Sequence, residues 1–194
     1  MRLETLDGAA ARAALPALSR LRVAVFAEWP YLYEGDAAQE EGYLATLLAG
    51  RDAAVVVAWE GAEPVGMATC QPMGEAYATV QAAFRRRGLD PARVCYFGES
   101  VLLPAWRGQG IGVAFFERRE AHARRLGLGA AAFCAVVRNA NDPRRPPGYV
   151  PLDSFWRRRG YTPRPDLSCV FRWREHGDAA ETPHALGFWL KDPL

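Results

Sequence analysis

The feature that most constrains the fold is a segment that reads as strand, glycine-rich turn, helix and strand in succession. An apolar stretch over residues 94–103 leads into the turn, a helical pattern follows over 111–126, and a second apolar stretch covers 130–137. A strand–helix–strand unit of this kind returns to the same sheet, so its two strands are expected to be parallel and adjacent. The chain must therefore contain a sheet with at least one parallel pair.

Helices and shorter strands surround this unit. Helical spacing of apolar residues predicts helices over 11–25 and 37–48, and two apolar segments over 53–59 and 64–70 predict a β-hairpin. The remaining predicted elements are short helices over 80–87 and 153–159 and a last strand over 168–174. This order predicts one mixed α/β or α+β domain that covers residues 1–194.

Composition excludes several classes of protein. The chain has 24 Lys and Arg against 22 Asp and Glu, an excess too small to indicate nucleic acid as a partner. No apolar run approaches the roughly 18 residues that span a bilayer, and the N-terminus lacks a signal-peptide pattern, so we expect a cytoplasmic protein without membrane contact. The four cysteines lie far apart in apolar segments, which favours buried free thiols over disulfides and argues against a metal site; they are Cys70, Cys95, Cys134 and Cys169.

The turn itself indicates an anion-binding site. Gly108, Gly110 and Gly112 stand where the helix begins, beside Arg107. The start of a helix presents unpaired N–H groups that bind phosphate, and glycine lets the backbone approach an anion closely. The spacing is G-x-G-x-G, which fits neither the dinucleotide-binding G-x-G-x-x-G nor a P-loop. A tight structural turn that needs small residues remains the alternative.

The turn resembles the signature of the GNAT superfamily of acyl-CoA-dependent N-acetyltransferases, (Arg/Gln)-x-x-Gly-x-(Gly/Ala). The residues that carry the resemblance are Arg107, Gly108, Gln109, Gly110, Ile111 and Gly112. It implies a mostly antiparallel central sheet, flanked by helices, in which one parallel pair separates near Leu103 and Val137 to admit acetyl-CoA. It also implies that the turn holds the CoA pyrophosphate and that the preceding strand pairs with the pantetheine arm through Val101, Leu102 and Leu103.

The same resemblance implies direct attack of an amine on the acetyl thioester. Glu99 is the candidate base, because it shares a strand face with Leu103; a structural carboxylate bonded to nearby N–H groups is the alternative. Trp156 stands where the family often has a tyrosine that protonates the leaving thiolate, so solvent or Tyr149 would have to serve instead. Trp156 and Asn141, with Asn139 as the near alternative to Asn141, are expected at the cofactor.

The sequence constrains the binding site for the acceptor amine less than the binding site for acetyl-CoA. Trp29, Tyr31 and Tyr33 fall where the first two helices of the family line the acceptor site, and they either bind a cationic amine or fasten the helices to the sheet. Residues from about 175 to 194, including His184, have no counterpart in the family's minimal core. We expect this C-terminal extension to fold over the acceptor pocket or to form a homodimer contact.

These observations predict an N-acetyltransferase that uses acetyl-CoA, without a metal, to modify a small-molecule amine. A non-catalytic acyl-CoA-binding module and a dinucleotide-binding protein are the competing hypotheses. Arg144 and Arg145, in the proline-rich segment 143–149, are expected to be solvated surface charge or to meet the CoA 3′-phosphate or an acidic substrate.

Overall fold

Eight strands form the sheet at the centre of the molecule. The computed structural model describes the backbone of all 194 residues and every side chain except that of residue 9. The strands are β1 (Arg2–Leu6), β2 (Ala54–Glu60), β3 (Glu63–Pro72), β4 (Val94–Tyr96), β5 (Ser100–Leu102), β6 (Ala130–Val136), β7 (Thr162–Trp173) and β8 (Thr182–Lys191). Their order across the sheet is β1-β2-β3-β4-β6-β8-β7, and β5 pairs with β3 alone.

Five helices cover the two faces of the sheet, because strand residues alternate between the faces and are apolar on both. The helices are α1 (Gly8–Phe26), α2 (Ala37–Leu47), α3 (Ala78–Arg85), α4 (Ile111–Arg125) and α5 (Asp153–Arg158). Helices α1 and α2 bury Val55, Val57 and Val101, while α4 buries Val56 and Ala68 from the opposite side. Each strand near the site therefore presents one set of residues to α1 and another to α4.

The predicted parallel pair is confirmed, and so is the predominance of antiparallel pairing. β4 pairs parallel with β6 from Val94↔Ala130 to Tyr96↔Ala132, and every other strand pair is antiparallel. Beyond this point β5 pairs with β3 and β6 pairs with β8, so β5 and β6 separate. The expected opening between the two parallel segments is present.

The predicted strand over 94–103 is interrupted by a kink at Phe97–Glu99. The Phe97 N–H still reaches the Ala132 carbonyl at 2.8 Å, but Gly98 and Glu99 turn back to Thr69 on β3. A Cβ on Gly98 would lie 2.8 Å from the Thr69 hydroxyl oxygen, so only glycine fits. The kink is the physical reason why one apolar stretch becomes two strands with different partners.

The C-terminal segment differs from the expectation. The prediction that 168–174 is the last strand is wrong, since β7 begins at Thr162 and a further strand, β8, follows it. β8 lies between β6 and β7, with registers that include Cys134↔Phe188 and Cys169↔Leu186. Part of the segment from about 175 to 194, which has no counterpart in the family's minimal core, therefore forms an interior strand of the sheet.

The four cysteines are free and buried, as predicted. No helix among the described residues has both the length and the apolar character needed to cross a bilayer.

Candidate active site

The glycine turn forms an exposed cradle at the start of α4. Gly108 and Gly110 have φ angles of 77° and 83°. A Cβ on either residue would meet nothing within 4 Å, so the backbone conformation, not crowding, requires glycine here. The Ala114 N–H donates to the Gly110 carbonyl at 3.1 Å, which makes it the first intrahelical bond. The three preceding helical N–H groups, from 111 to 113, therefore have no acceptor within the helix and are available to an anion.

Arg107 fastens this turn to its surroundings. Its Nε donates to the Leu102 carbonyl at 3.0 Å, and its guanidinium pairs with Glu28 at 2.8 Å. The side chain of Gln109 donates to the Ala105 carbonyl at 2.9 Å. Arg107, the predicted cation for the phosphates, is a half-exposed side chain whose charge is shared with Glu28.

One edge of β5 is unpaired and faces the opening between β5 and β6. The Leu103 N–H donates to the Val65 carbonyl at 3.0 Å, so residue 103 bonds to β3. In an antiparallel pair the next residue points its N–H and carbonyl the other way. The Leu102 amide therefore faces the opening between β5 and β6, where a ligand can pair with it. Val101 is buried, and Leu102 and Leu103 are half-buried beside this edge.

Glu99 lies across the same opening, on the face covered by α1. Its side chain is 4% exposed, and its Oε2 accepts a hydrogen bond from the Arg22 guanidinium. Arg22 also pairs with Glu40, which accepts a hydrogen bond from the Tyr33 hydroxyl. We call these four side chains, Glu99, Arg22, Glu40 and Tyr33, the carboxylate cluster. Among the described atoms, the buried Oε1 of Glu99 has no hydrogen-bond partner.

The backbone of Glu99 is held from both faces of the sheet. Its N–H donates to the Thr69 hydroxyl at 3.1 Å. Its carbonyl accepts from Arg119 Nη1 at 3.3 Å, and Arg119 also binds the carbonyls of Thr69 and Phe115. The Arg119 guanidinium is 4.2 Å from the centre of the Phe97 ring, and burial lowers its pKa. A buried cation on α4 thus fixes the kink that positions Glu99.

The three aromatic residues of the α1–α2 connection pack around the cluster. The Tyr31 ring lies 4.5 Å from Phe26 and 5.7 Å from Trp173, and burial, with the nearby Cys134 and Glu99, raises its pKa. Trp29 packs edge-on against Tyr149 at 6.1 Å. All three residues are half-buried, and the contact of Tyr31 with Trp173 of β7 fastens the connection to the sheet.

A second group of charged side chains contacts the α1–α2 connection. Glu175 is buried and pairs with Arg138, Arg144 and His184; these four side chains form the Glu175 cluster. Arg138 donates to the Tyr31 carbonyl at 3.0 Å, and the His184 ring stacks on Trp173 at 3.7 Å.

The Glu175 cluster also fixes the position of the Arg144 side chain, which belongs to the proline-rich segment 143–149. Both carboxylate oxygens of Asp142 accept hydrogen bonds from Arg144, which holds the pKa of Asp142 at about 2. Arg144 is therefore neither free surface charge nor an unpaired cation for a phosphate. His184, at the start of β8, joins the β7–β8 hairpin to the rest of the cluster.

Trp156 and Asn141, both expected at the cofactor, lie outside β5 and the glycine turn: Trp156 is on α5, and Asn141 follows β6. Trp156 packs between Phe133 and Trp189, at 5.1 and 5.0 Å, on the face that α4 covers. Its neighbour Phe155 contacts the glycine turn, because a Cβ on Gly112 would lie 3.4 Å from the Phe155 ring. Asn141 is exposed in the turn after β6, with its N–H bonded to the Asn139 side chain at 2.9 Å.

No group of three or more metal-ligating side chains occurs among those that the structure describes. A recess of about 330 Å³ is present between α3 and β7, but its lining residues, among them Arg86, Arg87 and Asp166, belong to neither cluster.

Comparison with known proteins identifies the family. The family model described as acetyltransferase (GNAT) family matches residues 19–146, well over half of the chain. The chain belongs to the GNAT acetyltransferase family. No curated protein matches the chain significantly. The matched range includes the C-terminal part of α1, the kinked strand and the glycine turn, so the predicted resemblance and the predicted enzyme class are both confirmed.

Solved structures of GNAT proteins share this fold at low sequence identity. A ribosomal-protein-alanine N-acetyltransferase from Brucella melitensis is 15% identical with a TM-score of 0.63, and 99% of each chain is covered. A phosphinothricin acetyltransferase from Sinorhizobium meliloti, in complex with acetyl-CoA, is 16% identical with a TM-score of 0.60, covering 100% of this chain and 89% of that one. An N-acetyltransferase from Thermoplasma acidophilum, in complex with coenzyme A, is 12% identical with a TM-score of 0.56, covering 99% of both.

Sequence reasoning missed three residues of the site, namely Arg22, Glu40 and Arg119. All three lie on helices, where charged residues usually face solvent. Within α1, Arg22 lies four residues after Leu18 and four before Phe26, both buried, so its place on the apolar face of the helix is the signal that the sequence offers.

Proposed function

We propose that this GNAT protein transfers an acetyl group from acetyl-CoA to the primary amine of a small molecule by direct attack. The observation that carries the proposal is the opening between β5 and β6. It has the glycine cradle at its outer end and the buried carboxylate of Glu99 across the sheet. GNAT relatives of the same fold have been solved with acetyl-CoA and with coenzyme A, which supports this choice of co-substrate.

The chain's residues fit acetyl-CoA in two places. The free N–H groups at 111–113 and the positive end of the α4 dipole suit the pyrophosphate. The outward-facing amide of Leu102 suits the pantetheine arm, and the same strand edge offers an N–H to the thioester oxygen as negative charge develops there. Phe155, beside Gly112, forms a wall of the cradle.

The reaction needs a base but no side-chain nucleophile. The amine nitrogen forms a bond to the acetyl carbon, and the carbon–sulfur bond breaks. The acceptor, bound as an ammonium, first gives one proton to the free Oε1 of Glu99, directly or through a water molecule, which frees the lone pair that attacks. The second proton, which the nitrogen loses as the amide forms, goes to solvent. Because Trp156 is packed between two aromatic rings and carries no hydroxyl, we propose that solvent protonates the thiolate. A thiol pKa near 8.5 makes this group a tolerable leaving group.

Glu99→Gln tests the assignment of the base. We expect kcat to fall by about 100-fold or more, the usual contribution of a positioned base, with acetyl-CoA affinity unchanged. Thiol release with a panel of amines measures the first quantity, and isothermal titration calorimetry measures the second. Glu63→Gln, an exposed residue at the start of β3, is the matched control. Unchanged turnover in Glu99→Gln would remove Glu99 as the base.

A non-catalytic acyl-CoA-binding protein is the second candidate, because Trp156 replaces the expected acid. Tight acetyl-CoA binding without thiol release across a broad amine panel would support it. Failure to bind acetyl-CoA would exclude both candidates.

A further inference from the structure

The carboxylate cluster carries an uncompensated negative charge. Arg22 is shared by Glu99 and Glu40, so two carboxylates face one guanidinium. Both carboxylates are almost fully buried, with 4% of each side chain exposed. An isolated buried charge is costly unless a partner neutralises it. The unpaired Oε1 of Glu99 marks where that partner is missing from the protein itself. A protonated amine supplies both the positive charge and the N–H donor.

The cations near the cluster are already neutralised. Arg138 and Arg144 are held by Glu175 and Asp142, so this second group carries two positive and two negative charges before His184 is counted. Arg107 is paired with Glu28, and Arg174 with Glu34. Arg119 is committed to three backbone carbonyls on the opposite face of the sheet. Among the described side chains around Glu99, none of these guanidinium groups is left for a substrate carboxylate.

Aromatic rings pack between the carboxylate cluster and the surface. Tyr43 covers Arg22 at 4.2 Å and stacks on Tyr77 at 5.9 Å. Tyr77 in turn packs edge-on against Phe171 at 5.8 Å and is 44% exposed. This aromatic row runs from the buried guanidinium to the surface, so the surroundings of the cluster on this side are apolar ring faces. Such a surface favours an apolar body over one with a second charge.

We infer that the acceptor is a monoamine with an apolar body and without a carboxylate next to the amine. The orphan oxygen of Glu99, the excess negative charge of the carboxylate cluster and the neutralised cations together require it. This inference rests on the proposed function, since it names the acceptor class of that same site. An α-amino acid would bring its own carboxylate against Glu99 and Glu40 with no cation to receive it, and unpaired like charges of this kind are strongly disfavoured.

Three acceptors of matched shape test the inference on the full-length protein: phenethylamine, phenylalanine and phenylalaninamide. With acetyl-CoA in excess, we expect kcat/KM for phenethylamine to exceed that for phenylalanine by about 100-fold or more. Phenylalaninamide has nearly the size of phenylalanine without its negative charge, so we expect it to recover most of the difference. Equal kcat/KM for phenethylamine and phenylalanine would overturn the inference. So would a kcat/KM for phenylalaninamide as low as that for phenylalanine.

Glu40→Gln adds a second measurement. Glutamine keeps an oxygen for Tyr33 but removes one negative charge, so Arg22 gains capacity for a substrate carboxylate. We expect the phenethylamine-to-phenylalanine ratio to narrow by about tenfold, while Glu41→Gln, the next residue on α2, leaves it unchanged. An unchanged ratio in Glu40→Gln would contradict the charge argument. Absence of thiol release with every amine, while acetyl-CoA still binds, would overturn the proposed function and this inference with it.

Discussion

At the scale of single residues, the site depends on charged side chains that the fold buries. The glycine turn could be selected from the sequence, because alternate glycines between a strand and a helix are a local pattern, and Glu99 could be selected through the family resemblance that this turn carries. Arg22, Glu40 and Arg119 could not, since their burial follows only from how α1, α2 and α4 dock on the sheet. The role of Glu99 as base stays a prediction, and its unexpected partner is Arg22 instead of nearby N–H groups.

Gly110→Ala tests the cradle at this scale. Alanine disfavours the φ of 83° by roughly 1–2 kcal/mol, so the turn should leave the conformation that presents its N–H groups. We expect acetyl-CoA affinity to fall at least tenfold, measured by isothermal titration calorimetry. Gly42→Ala is the control: it lies in α2 with nothing within 4 Å of the added Cβ, and should raise stability by about 0.5–1 kcal/mol without affecting affinity. Equal affinity in Gly110→Ala would argue against an anion cradle.

At the scale of elements, the sequence predicts those with strong local patterns. Helices α1, α2 and α4, the β2–β3 hairpin and β6 lie close to their predicted positions. The sequence does not show β8, because Pro183 and Gly187 interrupt its strand pattern and its partners, β6 and β7, complete it only in the fold. β1 is a short edge strand of five residues with two charged side chains, and the sequence does not show its pairing with β2.

Phe188→Ala measures what β8 contributes. Phe188 is 1% exposed and packs edge-on against Phe84 of α3 at 5.3 Å. Truncating a buried phenylalanine costs about 3–5 kcal/mol, so we expect a loss of this size in the free energy of unfolding from urea titration. Val170→Ala, at a 53% exposed position on β7, should change it by less than about 0.5 kcal/mol. A small effect at Phe188 would be inconsistent with an interior strand.

At the scale of the whole molecule, the Glu175 cluster joins segments far apart in sequence. Through Arg138, Arg144 and His184 it connects the α1–α2 connection, the loop after β6 and the β7–β8 hairpin. Burial raises the pKa of Glu175, but hydrogen bonds from Arg138 and Arg144 outweigh it and leave that pKa below its ordinary value. The carboxylate is therefore more easily ionised in the folded protein than in the unfolded chain.

This lowered pKa predicts an acid-sensitive fold. The contribution of Glu175 to stability is fully present above its unfolded pKa, near 4.5, and is lost as the pH falls through the lower folded value. We expect Tm to drop steeply below about pH 4.5 in the wild type, and less steeply in Glu175→Gln, which starts from a lower Tm at pH 7. Calorimetric scans from pH 7 to pH 3 measure the slope of Tm against pH in the wild type and in Glu175→Gln, with Glu63→Gln as the control. Parallel slopes in the two variants would contradict this account.

The position of β8 between β6 and β7 has a consequence for how the protein is made. A ribosome delivers both β6 and β7 before β8, yet these two strands do not pair with each other in the finished sheet. During synthesis the edge of β6 therefore stays unsatisfied and available for wrong partners until β8 arrives. The nascent chain is consequently most exposed to misassembly between the synthesis of β6 and that of β8, and a chaperone that shields the edge of β6 during this interval should raise the yield of native protein.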